Sequence, residues 1–125
     1  MTGRASREKG KRGEREVSRI LRTWFPEHSE SIHRGWQARD GADAADVEGL
    51  PGLWVEVKRM AKCNLRAALK QAQADAPLSR IPIAVTRDDG GPWLATLELE
   101  QLCELIRYGR LAVKLRDEKD GEHEA

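Results

Sequence analysis

The chain has 125 residues, a formal net charge of +1, and 34% charged against 39% hydrophobic residues. This length suits one domain with a real core. The lack of any long apolar run excludes a membrane span and a secretory signal, so a cytoplasmic protein is expected. Cys63 and Cys103 stand apart without a Cys-x-x-Cys partner, which argues against zinc and against a disulfide framework.

The small net charge hides an asymmetry. Residues 1–13 carry Arg4, Arg7, Lys9, Lys11 and Arg12 against Glu8, and read as a basic flexible arm. Residues 14–115 hold the periodic apolar segments and read as one folded domain. Residues 116–125 form an acidic tail, expected to be disordered. A basic arm fits a nucleic-acid partner, and it also fits an ordinary solvated terminus.

Taken in chain order, Val17, Ile20, Leu21 and Trp24 share one face of a helix that Pro26 ends. Ser29 to Trp36 suits a short strand, and the small and acidic residues after it a loop. Asp46 to Glu48 makes a strand, Gly49-Leu-Pro-Gly52 a turn, and 53–59 a second strand. Asn64 is placed to cap a helix whose buried face is Leu65, Ala68, Leu69 and Ala72, with Pro77 as its stop. Ile81 to Arg87 is nearly all apolar and β-branched, as in a strand covered on both faces. Asp88 to Gly91 turns the chain into a partner strand, 92–98. A last helix presents Leu99, Leu102, Cys103 and Ile106, with Gly109 as its stop and Arg110 to Lys114 as a further edge strand. The order α-β-β-β-α-β-β-α predicts an α/β (α+β) domain, a mixed sheet flanked by helices. Trp24, Trp54 and Trp93 fit core positions, and Trp36 is left to touch DNA or a second subunit. His28, His33 and His123 show no ligand spacing.

The odd residues lie in Ala45-Asp-Val-Glu-Gly-Leu-Pro-Gly-Leu-Trp-Val-Glu-Val-Lys-Arg59. Alternation puts Glu56 and Lys58 on one strand face with Trp54, and Val55 and Val57 on the other. A tight turn brings Asp46 beside the strand that carries Glu56. Two converging carboxylates repel unless a cation lies between them. Asp46, Glu56 and the Val57 carbonyl are oxygen ligands of the kind Mg²⁺ accepts, and Lys58 stands next to them. The chemistry open to such a set is metal-assisted attack of water on a phosphodiester. A Glu-x-Lys pair on a strand is ordinarily solvent-facing and contributes little. Here it has company in Asp46, in Glu14 on the first helix and in Gln71 on the helix that follows.

In order and spacing, these residues resemble the PD-(D/E)XK nuclease superfamily, whose core is α-β-β-β-α-β. Lys9-Gly-Lys-Arg-Gly-Glu-Arg-Glu-Val-Ser-Arg-Ile-Leu21, followed by the segment 45–59, is similar to the archaeal and phage type of Holliday junction resolvase. The resemblance spans roughly residues 9–98. It implies a restriction-endonuclease-like fold and a catalytic set of Glu14, Asp46, Glu56, Lys58 and Gln71, with Gln73 the less favoured glutamine. Metal ligation would fall to Asp46, Glu56, Glu14 and Val57, with Asp43 an alternative to Asp46. Ala45 stands where the superfamily's proline would be. The cofactor implied is Mg²⁺, with Mn²⁺ able to substitute, and the products are a 5′-phosphate and a 3′-hydroxyl. Lys9, Lys11, Arg12, Arg34, Arg39, Arg59, Lys62 and Arg66 surround the expected site and are the DNA-binding candidates.

The expectation is a structure-selective endonuclease for branched DNA, a four-way junction above all, working as a homodimer because symmetric cleavage needs two sites. The alternatives are a nuclease of DNA ends, flaps or nicks, and a DNA-binding subunit with a vestigial site.

Overall fold

A computed structural model describes residues 3–35 and 44–109. The chain runs α1 (Gly3–Trp24), a 3-10 turn (Pro26–His28), β1 (His33–Arg34), β2 (Val47–Glu48), β3 (Leu53–Met60), α2 (Leu65–Asp75), β4 (Ile81–Asp88), β5 (Leu94–Thr96) and α3 (99–109). The strands form one mixed sheet in the order β1-β2-β3-β4-β5. Among the described strands only β3 and β4 are parallel, and α2 makes the crossover between them. The fold is α/β, with helices packed on a five-stranded mixed sheet. Among the described residues no helix is long and apolar enough to cross a membrane.

The central strands divide the core by face. Val55 and Val57 of β3 meet Val17 of α1, with Ile32, Val47, Leu21 and Trp93 around them. Trp54 meets Ala45 and Ala72 on the opposite side, under α2. Both buried residues of α2, Ala68 and Ala72, are alanines, so this helix rides close to the sheet. Asn64 caps it as expected, its side chain accepting from the Ala67 amide at 3.0 Å. Gly13 gives α1 a similar close approach. A Cβ there would lie 3.2 Å from the Trp93 ring and 3.5 Å from Val57.

Several sequence expectations change. The helix begins at Gly3, so most of the expected arm is its first turns. Arg, Lys, Glu and Ala support a helix without an apolar stripe, and Lys9 ties this part to Asp89 at 2.6 Å. The first strand is shorter than 29–36, because a 3-10 turn takes up its start. Trp24 is 76% exposed rather than core. The buried stripe of α1 turns toward Gly13, Glu14, Val17 and Ser18 and leaves Ile20 and Trp24 outside. On α3 the inward residues are Gln101 and Leu105, while Leu99, Leu102 and Ile106 are exposed. Trp36, Arg39, Asp43, His123, the strand proposed at 110–114 and the acidic tail lie outside the described residues.

Candidate active site

β2 is two residues long, and Val47 pairs with Val55. Beyond that pair the edge of β3 has no ladder partner from β2. Asp46, the residue just before β2, fills the gap with its side chain, accepting the Val57 amide at 2.8 Å. The Val57 carbonyl points to the same edge as its amide, because both groups of one strand residue face one neighbour. Asp46 and this carbonyl therefore share the edge of the central strand that β2 leaves unpaired. The turn that sets this register, 49–52, has glycines of positive φ at both ends, +111° at Gly49 and +78° at Gly52.

Glu56 lies one residue earlier, on the α2 face. It is 6% exposed, its Oε1 accepts the Trp54 indole N–H at 2.8 Å, and it lies within hydrogen-bonding reach of Asp46. Burial, and then the negative charge of Asp46, push its carboxyl from the usual 4.5 up to about 7. Trp54 is itself clamped. Arg80 lies over its ring at 5.7 Å and bonds Glu48 at 2.9 Å, which in turn accepts the Ala45 amide at 2.9 Å. The two acids are thus held together by packing and backbone bonds, within hydrogen-bonding reach of each other.

Lys58 follows on the same face of β3 and reaches a cleft of about 740 Å³ between α1 and the end of that strand. Asp46, Val57 and Lys58 line it with Glu14 from α1, and Arg7, Lys9, Lys11, Arg34 and Arg59 supply positive charge around them. Glu56 stands behind Asp46 rather than in the cleft wall. Glu14 reaches the cleft from the α1 face and is engaged by Arg34, whose Nε donates to Oε2 at 2.7 Å. Among the described residues no group of three His, Cys, Asp or Glu side chains converges at metal-binding spacing. The oxygen set at the strand edge is therefore Asp46, Glu56 and the Val57 carbonyl, with Glu14 apart.

The remaining candidates divide. Gln71 is exposed on α2, beside buried Ala72, and does not line the cleft. Gln73 donates to Glu98 at 2.8 Å and so ties α2 to the start of α3. Arg12, Lys62 and Arg66 are exposed, and Lys62 and Arg66 follow β3 at the end where the cleft lies.

Sequence reasoning missed two features. Glu16 gathers Arg59 and Arg87, each at 3.0 Å, and the Trp93 indole at 3.1 Å, and so joins α1 to the sheet. No local pattern announces it, since its partners lie 43 to 77 residues away. A second cleft of about 620 Å³ is lined by Arg15, Ser18, Arg19, Arg22, His33 and Arg34. Its helical cations repeat at three- and four-residue steps, a signal present in the sequence. Comparison with protein families, curated proteins and solved structures finds no match to this chain.

Proposed function

We propose that the protein is a Mg²⁺-dependent endonuclease of the PD-(D/E)XK type, acting on branched DNA. The observation that carries this reading is the convergence of Asp46 and Glu56 at the edge of β3 past its pairing with β2, one step from Lys58 and beside a cation-lined cleft. Two carboxyl groups and a strand-edge carbonyl are hard oxygen donors. They suit an ion that keeps several waters and asks little of the protein. Mg²⁺ held there would neutralise charge on a phosphate and lower the pKa of an attacking water.

The chain's own residues would do the rest. Asp46 and Glu56 hold the ion, and the Val57 amide fixes Asp46 in place. Lys58 faces the cleft and meets a non-bridging phosphate oxygen or orients the water. Arg34 orients Glu14 toward the same space. The surrounding cations hold the DNA backbone without reading its sequence. Cutting both strands of a four-way junction symmetrically requires a second copy, so the working form is a homodimer.

The test is cleavage of junction, flap, linear duplex and single-stranded DNA with and without Mg²⁺. Metal-dependent cutting that prefers the junction is the expected result. Equal cutting of linear duplex removes the junction specificity, and a strict monomer with flap or end activity favours the end-processing alternative. Full activity in Glu56→Ala or Lys58→Ala removes the site. One observation favours a second reading, a DNA-binding subunit that does not cut: no third acid joins the pair among the described residues. That reading expects salt-sensitive DNA binding with no cleavage in any divalent metal.

A further inference from the structure

The outer side of α1 carries Arg4, Arg7, Lys11, Arg15, Arg19 and Arg22, in steps of three, four, four, four and three. At 100° per residue these positions fall on one stripe of the helix. All six are exposed. The stripe runs about 27 Å at 1.5 Å per residue, most of the ~34 Å turn of a B-form duplex. It is also what joins the two clefts. Arg7 and Lys11 wall the cleft at Asp46, while Arg15, Arg19 and Arg22 wall the second one, and Arg34 belongs to both.

Helix stability does not account for the pattern. Arg4 and Arg7 oppose the helix dipole, since the first turn has no acidic residue. Lys11, Arg15 and Arg19 are like-charged neighbours four residues apart, which repel. A face built only for solvation interleaves acids at that spacing. Glu8 sits beside the stripe, 3.8 Å from Lys11, but the second cleft has no acidic residue in its lining. Arg22 uses Nε to bond the Ile32 carbonyl at 3.0 Å, which holds its side chain across the cleft and leaves the terminal nitrogens to face it. Guanidinium groups in such a row match phosphate oxygens by paired hydrogen bonds.

We propose that this stripe, centred on the cleft of Arg15, Arg19, Arg22 and His33, is a binding site for the phosphodiester backbone of one duplex DNA arm. It leads that arm past Arg34 toward Lys58. The choice of DNA as the polyanion rests on the nuclease reading, whereas the site itself rests on the spacing of the cations and their shared cleft.

The test is binding of a short blunt DNA duplex in EDTA, followed by fluorescence anisotropy over a range of KCl concentrations. Log affinity against log salt has a slope of about −0.9 per phosphate neutralised. Arg15→Gln/Arg19→Gln is expected to make the slope shallower by about two units, and Arg19→Gln alone by about one. Both are surface changes, and circular dichroism checks that each variant is folded. Arg107→Glu on α3 makes the same two-unit change in charge away from the stripe and is expected to leave the slope unchanged. The proposal is overturned if the double variant keeps the wild-type slope, if Arg107→Glu flattens it equally, or if the wild type binds phosphatidylglycerol vesicles and no DNA. The two readings separate cleanly. Mg²⁺-dependent cleavage with stripe-independent binding keeps the nuclease and removes this site. Stripe-dependent binding with no cleavage in any metal keeps this site and removes the nuclease.

Discussion

A glutamate stands at each face of β3, Glu16 half-buried and Glu56 buried, and the two are treated in opposite ways. On the α1 side, Glu16 reaches two arginines and an indole N–H, so its charge is answered several times over. On the α2 side, Glu56 has one indole donor and is pressed against a second acid. The first arrangement is a clamp that joins a helix to a sheet. The second sets two carboxyl groups within hydrogen-bonding reach, which holds a proton on Glu56 toward neutral pH. An acid set against the sheet therefore does not by itself make a candidate site. The balance of charge around it is the better guide, and among the described residues Glu56 is the buried acid whose carboxyl is raised.

The contrast breaks most sharply at activity. Lys58→Ala is expected to lower Mg²⁺-dependent cleavage by about 10²–10³-fold, the usual loss when one charge-stabilising group is removed. Glu56→Gln should abolish cutting and yet leave a protein that unfolds in urea no earlier than the wild type at pH 8. Removing Glu16 has the reverse signature. Glu16→Ala leaves two arginines and an indole without their acceptor, and is expected to cost about 2 kcal/mol in urea unfolding. At temperatures where that variant is still folded, it should retain cleavage. If Glu16→Ala is silent in stability while Glu56→Gln unfolds the chain, the contrast is reversed.

The pH dependence sharpens it further. The Glu56 carboxyl is raised from 4.5 to about 7 in the folded chain. Below pH 4.5 it is protonated in both folded and unfolded chains. As the pH climbs toward 7 the unfolded chain releases the proton first, so this group's contribution to stability is lost across that window. With a chelator present, the melting temperature should fall from pH 5 to pH 8, and Glu56→Gln should flatten that part of the profile. Adding Mg²⁺ at pH 8 should recover stability in the wild type and not in the variant.

The smallest effects compare two glycines on α1. Gly10 has open space where a Cβ would stand, so Gly10→Ala should stabilise the helix by up to about 1 kcal/mol. Gly13 has the Trp93 ring 3.2 Å from that position, so Gly13→Ala should fall short of that gain. Differential scanning calorimetry of the pair reads the difference directly.

Much of this was legible beforehand, for identifiable reasons. The Asn64 cap, the turns and the alternation in β3 depend on neighbours within a few residues, and the sequence displays those. The order of helices and strands followed from the same signals. Trp24 and the outer face of α3 were misjudged because an apolar stripe says which residues could be buried, not which way a helix is rolled against the sheet. The stripe that α1 buries includes Gly13, Glu14 and Ser18, and Ser18 satisfies itself on the Glu14 carbonyl at 2.8 Å. Small and self-bonded polar residues can line a close approach as well as large apolar ones.

By itself the sequence determined the strand–turn–strand unit of 46–59, and with it the nearness of Asp46 to Glu56, because a tight turn leaves little choice of register. It also determined the cationic spacing on α1. Only the tertiary structure decided where the acids of α1 go. Glu14 arrives from the other side of the sheet and is taken by Arg34, and Glu16 finds its partners 43 to 77 residues away. The physical reason is that charge pairing is settled by distance in space once the helices have docked, and a linear pattern does not contain that distance.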